Sequence, residues 1–151
     1  MTDADTDLTV VRSFDAPREA VWSAWTSPEQ LTLWWWPERF QTTYEVDLRV
    51  GGAYRFRTIE VPGIGVLNLT GRFETVQPSE LLVYTWHWDS GDERESRVTV
   101  EFLDREKHTE LRVHHVGFST PEERDNHVTG WNDCLDRLEA FSGVFEPTTR
   151  S

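Results

Sequence analysis

The stretch Pro121–Phe141, PEERDNHVTGWNDCLDRLEAF, carries the longest helical period in the chain. Its large apolar residues Val128, Trp131, Leu135, Leu138 and Phe141 recur at intervals of three, four, three and three, which stacks them on one face of an α-helix. Thr120 supplies a capping hydroxyl, Pro121 suits a first turn whose N–H groups need no helical partner, and Glu122 and Glu123 sit at the positive end of the helix dipole. Gly143 follows as a stop. So long an apolar face must be covered. Nearly everything from 42 to 116 reads as strand, so the expected architecture is a long terminal helix lying across an antiparallel sheet.

Working back from that helix, period-two alternation gives the strands. Leu111, Val113 and His115 share one face of the last strand, and Val98, Val100 and Phe102 share one face of the strand before it. Leu82, Tyr84, Trp86 and Trp88 alternate in ELLVYTWHW, which a turn at Asp89-Ser90-Gly91-Asp92 follows. Leu67, Leu69 and Phe73 align in VLNLTGRFETV, where Gly71 is expected to mark a bulge. Tyr54 and Phe56 share a face opposite Arg55 and Arg57, and Gly51-Gly52 turns the chain back to Tyr44, Val46 and Leu48. Before these come a strand at 8–14, a helix from Arg18 to about Trp25 opened by Asp15-Ala16-Pro17, and a second short helix, PEQLTLWW, that Pro37 stops. The result is a meander of about six or seven strands, apolar on one side only and curled around the helix. One domain spans 1–151, with its ordered core at about 8–142 and polar tails.

Composition narrows the function classes. The formal charge is -12, from 27 acids against 15 bases, and Lys107 is the single lysine. That balance opposes binding to nucleic acid or anionic membrane through a diffuse basic surface. No window is apolar enough for membrane insertion, and the acidic start MTDADTDLTV is unlike a secretory signal, so a cytoplasmic protein is expected. Cys134 stands alone, which excludes an internal disulfide. Eight tryptophans in one small domain point to an aromatic core, pocket or interface.

The order of strand, two short helices, six-stranded meander and long C-terminal helix resembles the helix-grip α+β fold of the START/Bet v 1-like (SRPBCC) superfamily. The segments FDAPREAVWSAWTSPEQLTLWWWP, DLRVGGAYRF, Gly71-Arg72-Phe73, PSELLVYTW and Gly130-Trp131 are similar to the branch containing the C-terminal domain of the activator of heat-shock protein 90 ATPase. The resemblance covers roughly residues 8 to 142. It implies a cavity between helix and concave sheet for an apolar or amphipathic ligand, with a chaperone ATPase as a candidate partner. The eukaryotic activator carries a further N-terminal domain that this sequence does not show. Fold alone assigns no chemistry.

Phasing the strands then yields candidate site residues. A ligand pocket is expected from Tyr54, Phe56, Leu69 and Phe73 on two strands and Tyr84, Trp86 and Val98 on the next two. Val113 and His115 join from the last strand, and His127 and Trp131 from the helix. His87, His108 and His114 take the outer phase. The pair His115 and His127 could bind a carboxylate or shuttle a proton, although the plainer reading is two hydrogen-bonded histidines near the cavity rim. No nucleotide, hydrolase or metalloprotease motif is present, no cofactor or metal is implied, and Cys134 reads as a packed thiol.

Two features keep alternatives open. Trp34, Trp35 and Trp36 sweep about 200° of a helix, so two rings are expected to close one end of the cavity and the third to pack under the next loop, unless it serves a gate or a homodimer contact. Arg12 is ambiguous in phase, and an inward Arg12 would need an acid. Arg55, Arg57, Arg72 and Glu74 read as an outer-face charge ladder. The leading functional expectation is binding of a hydrophobic small molecule. A chaperone-ATPase module and a cavity enzyme (cyclase or hydrolase) with His115 or His127 as base are the alternatives.

Overall fold

Alternating apolar residues from Thr43 to Val116 become six consecutive antiparallel strands in the computed structural model, which describes residues 6–88, 95–106 and 108–140. They are β2 (Thr43–Val46), β3 (Ala53–Arg57), β4 (Asn68–Gln77), β5 (Leu81–Trp88), β6 (Ser96–Asp104) and β7 (Thr109–Val116). The N-terminal strand β1 (Asp7–Phe14) pairs antiparallel with β7, giving a seven-stranded sheet in the order β1-β7-β6-β5-β4-β3-β2. Helices α1 (Arg18–Thr26) and α2 (Pro28–Trp34) and a single 3-10 turn, Glu38–Phe40, fill the connection from β1 to β2. The long helix α3 (Pro121–Ala140) crosses the apolar face, packing on β1 and α2. This is the long helix across a curved antiparallel sheet that the periodicity implies, and the helix-grip fold that the resemblance implies.

At its N-terminus α3 is capped as its sequence suggests. Thr120 Oγ1 accepts from the Glu123 N–H at 3.0 Å, and the Glu123 carboxylate accepts from the Ser119 N–H at 2.7 Å. Trp131, Leu135 and Leu138 are buried with Cys134 beside them, and Val128 packs at the edge of the core. Phe141, Gly143 and the turn at 89–92 lie outside the described residues.

Several local expectations need correction. Asp15 does not cap α1: Pro17 occupies the cap position without a side-chain bond, and its fixed ring geometry opens the helix instead. The helix α2 stops at Trp34, one residue before the end of PEQLTLWW. Leu48 lies beyond the end of β2 and is partly exposed. The register shift in β4 falls between Phe73 and Thr75, whereas Gly71 sits in the regular ladder opposite Tyr54.

Gly71 has a different cause. A Cβ there would collide with the Thr85 carbonyl and the Tyr54 ring. Tyr54 lies over the glycine and donates its hydroxyl to the Thr85 carbonyl at 2.5 Å, while Thr85 Oγ1 accepts the Arg72 N–H in its place at 2.9 Å. Gly71→Ala is therefore expected to cost about 1–3 kcal/mol through overpacking. Urea denaturation measures it; a variant as stable as the parent would show that β4 can shift freely.

The ambiguity at Arg12 is resolved by its strand. Leu8, Val10 and Phe14 are buried and Val11 is exposed, so Arg12 takes the inward phase at the sheet edge. It meets the acids that this phase requires, donating to Asp136 at 2.7 Å and to Glu139 at 3.4 Å on α3. On the outer face Glu74 pairs with Arg97 of β6 at 2.7 Å. The guanidinium holds the Glu74 carboxyl below its usual range.

Candidate functional site: an indole-lined cleft beside α3

The expected pocket residues separate into three groups. Tyr54, Phe56, Leu69, Phe73 and Tyr84 surround an interior space of only about 20 Å³, because Trp25 and Trp35 fill the concavity of the sheet. Val98, Val113 and His115 are fully buried in the core. Trp86, His127 and Trp131 line a separate cleft of about 270 Å³ that opens at the side of α3, with Trp35, Trp36 and Trp88 completing its aromatic wall. For comparison, a cavity of roughly 150 Å³ holds benzene, so the cleft has room for a compact bicyclic molecule.

Helix α3 contributes a gap as well as a wall. Gly130 lines the cleft, and a Cβ built on it meets nothing within 4 Å. This mid-helix glycine therefore leaves room and does not permit a close backbone approach. The three consecutive tryptophans take three roles. Trp34 is fully buried and donates to the Ala24 carbonyl at 2.9 Å. Trp35 forms the partition between the two spaces, and Trp36 stacks on Trp88 with ring centroids 6.0 Å apart and planes 15° from parallel.

Two side chains of α3 hold that segment. Arg137 donates to the Trp34 carbonyl at 3.0 Å and the Trp35 carbonyl at 2.7 Å, supplying donors and positive charge to the C-terminus of α2. The Cys134 thiol donates to the same Trp35 carbonyl at 3.0 Å. Burial pushes this thiol up to about 12, so it is no thiolate nucleophile at neutral pH. Sequence reasoning missed Arg137. The available signal was a helix end at Trp34-Trp35 that needed donors.

Both inward histidines are committed to tryptophans. Trp131 donates its indole N–H to His115 Nδ1 at 3.1 Å, which places the proton on Nε2; that nitrogen then donates to Ser96 Oγ at 2.7 Å, and the Ser96 hydroxyl faces the Trp86 carbonyl at 3.4 Å. Burial, with His127 and His114 nearby, pushes His115 down to about 2, fixing it neutral. Likewise Trp88 donates to His127 Nε2 at 2.9 Å while His127 Nδ1 donates to the Glu123 carbonyl at 2.9 Å. The rings lie 5.6 Å apart with Phe118 against both. Neither imidazole has a free lone pair for base catalysis or metal ligation in this arrangement. Among the described residues no group of three His, Cys, Asp or Glu side chains could hold a metal ion, and no helix is long and apolar enough to cross a membrane.

The same architecture occurs in solved structures. A protein from Chromobacterium violaceum is 26% identical with a TM-score of 0.81, covering 94% of this chain and 99% of its own. One from Rhodobacter sphaeroides is 28% identical with a TM-score of 0.77, covering 94% and 95%. An HSP90 activator from Plasmodium falciparum shares the fold at 24% identity and a TM-score of 0.69, covering 91% and 96%. No curated protein matches the chain. The family described as Activator of Hsp90 ATPase homolog 1-like protein matches residues 15–143, from the start of α1 through the whole of α3, and the chain belongs to that family.

Proposed function

We propose that the protein binds a small apolar molecule in the cleft between α3, the tryptophans just past the end of α2 and those of β5. The observation that carries this reading is a cleft of about 270 Å³ walled by five indoles, beside an interior space of only about 20 Å³. Aromatic walls supply hydrophobic affinity without a large ordering cost, since the rings already pack against one another. The space expected beneath the sheet is displaced to the side of the helix, where a ligand can enter without opening the core.

Gly130 offers a test that leaves the core untouched. Gly130→Leu places a side chain in the cleft, and removing a mid-helix glycine adds about 1 kcal/mol of helix stability. The variant is expected to melt at or above the parent temperature and to lose binding of compact bicyclic hydrocarbons by at least tenfold, about 1.4 kcal/mol. Calorimetric titration measures the affinity. Unaltered binding in a folded Gly130→Leu protein would place the ligand elsewhere.

A second reading, stimulation of a heat-shock protein 90-type ATPase, is supported by family membership. An ATPase assay with the chaperone of the source organism separates the two, because a ligand binder leaves turnover unchanged.

A further inference from the structure

The hydrogen-bonding groups of the cleft wall are unevenly spent. The indole N–H of Trp88 goes to His127, that of Trp131 goes to His115, and the Cys134 thiol goes to the Trp35 carbonyl. Two donors remain. Trp35 Nε1 and Trp86 Nε1 are buried with no acceptor in the protein, on side chains only 2% and 6% exposed, and both rings line the cleft. A buried donor left unsatisfied is unfavourable, so two of them in one wall form a site with a chemical preference.

From this we infer that the ligand is an uncharged compact bicyclic molecule carrying a carbonyl oxygen, which accepts from Trp35 and Trp86. The inference rests on the cleft being the binding site. The sign of the missing group follows from the wall: its free buried polar atoms are donors, and the acceptors His115 and His127 are already used. Neutrality follows from charge. No Asp, Glu, Lys or Arg lines the cleft among the described residues, Arg137 is spent on the Trp34 and Trp35 carbonyls, and the net charge of -12 repels anions. A carboxylate buried among indoles would have no cation to offset its desolvation. Trp35 and Trp86 line both the cleft and the 20 Å³ interior space.

Three probes of similar size make the test: tetralin with no acceptor, 1-tetralone with one carbonyl, and 1-naphthoate with a charge. Calorimetry on the full chain is expected to show 1-tetralone binding at least fivefold more tightly than tetralin, the factor that one neutral hydrogen bond supplies, and 1-naphthoate binding more weakly than 1-tetralone. The assigned indole N–H protons of Trp35 and Trp86 should move downfield in the 1-tetralone complex relative to the tetralin complex. Trp86→Phe should shrink the ratio of 1-tetralone to tetralin affinity; if that variant does not fold, the wild-type indole shifts decide. Equal binding of tetralin and 1-tetralone overturns the inference and leaves the cleft as the binding site. Tighter binding of 1-naphthoate overturns neutrality. Binding of none of the three overturns the site itself.

Discussion

Replacing Trp131 with alanine is expected to remove about 3–5 kcal/mol of folding stability, the usual cost of deleting a buried aromatic side chain. Trp131 is 3% exposed, stacks on Trp25 at 5.9 Å and 14°, and meets Trp35 and Trp86 at 5.6 and 5.3 Å. No other ring of α3 joins the α1, α2 and β5 aromatics in this way. Removing it would also strand the His115 Nδ1 lone pair in the core. Trp131→Phe separates the two effects, because it keeps most of the ring and loses only the donor, for about 1–3 kcal/mol. Urea melts of both variants give the two numbers. A Trp131→Ala protein within 1 kcal/mol of the parent would mean that the aromatic cluster closes over the hole, about as far as cavity costs are known to vary.

The second large effect is a loss of stability in mild acid. His115 is held neutral down to about pH 2 in the fold, while in the unfolded chain imidazole titrates near 6.5. Between those values the unfolded chain binds a proton that the native state refuses. Stability from this group is thus complete above about pH 6.5 and falls by about 1.4 kcal/mol per unit below it, or about 2–3 kcal/mol by pH 4.5. The carboxylates Glu74 and Glu110 are held low by their arginines, and their losses set in at lower pH. The interval from 6.5 to 4.5 therefore lies above the losses from these two carboxylates. His115→Gln should be less stable than the parent at pH 7.5 and should have a shallower slope across the interval. Parallel slopes in parent and variant would assign the acid sensitivity to another group.

What was legible in the sequence is period. Trp131, Leu135 and Leu138 mark the buried stripe of α3, and Val98, Val100 and Phe102 mark the inward phase of β6, because a side chain's direction follows from its place in a regular element. Whether inward side chains enclose a space or fill it depends on volumes arriving from other elements. The aromatic residues of β3 to β5 face inward as phased, yet Trp25 of α1 and Trp35 just past the end of α2 occupy the concavity. The opening instead lies at the edge of α3, where Trp86, His127 and Trp131 of the expected pocket line it together with Gly130. His115 shows the same limit. Its direction follows from Leu111 and Val113, but the donor that occupies its lone pair comes from Trp131 on another element. Gly71 was visible as a glycine in a strand, and its reason, a tyrosine from the adjacent strand bonded across it, was not.

The pairing of the first strand with the last also sets an order of events in synthesis. Phe14 lies opposite Thr109 and Asp7 opposite Val116, so β1 leaves the ribosome about a hundred residues ahead of its partner. At a synthesis rate of about 5–20 residues per second it waits roughly 5–20 seconds with Leu8, Val10 and Phe14 uncovered. The helix α3 follows β7 and must seat Arg12 against Asp136, so the sheet edge and the helix close together near the end of the chain. Such distant pairing slows folding, since the loop must close before its contacts reward it. The alternating Thr9, Val11 and Ser13, which show polar or isolated apolar groups to water in the finished sheet, also keep the waiting strand from offering a fully apolar edge to a neighbouring nascent chain.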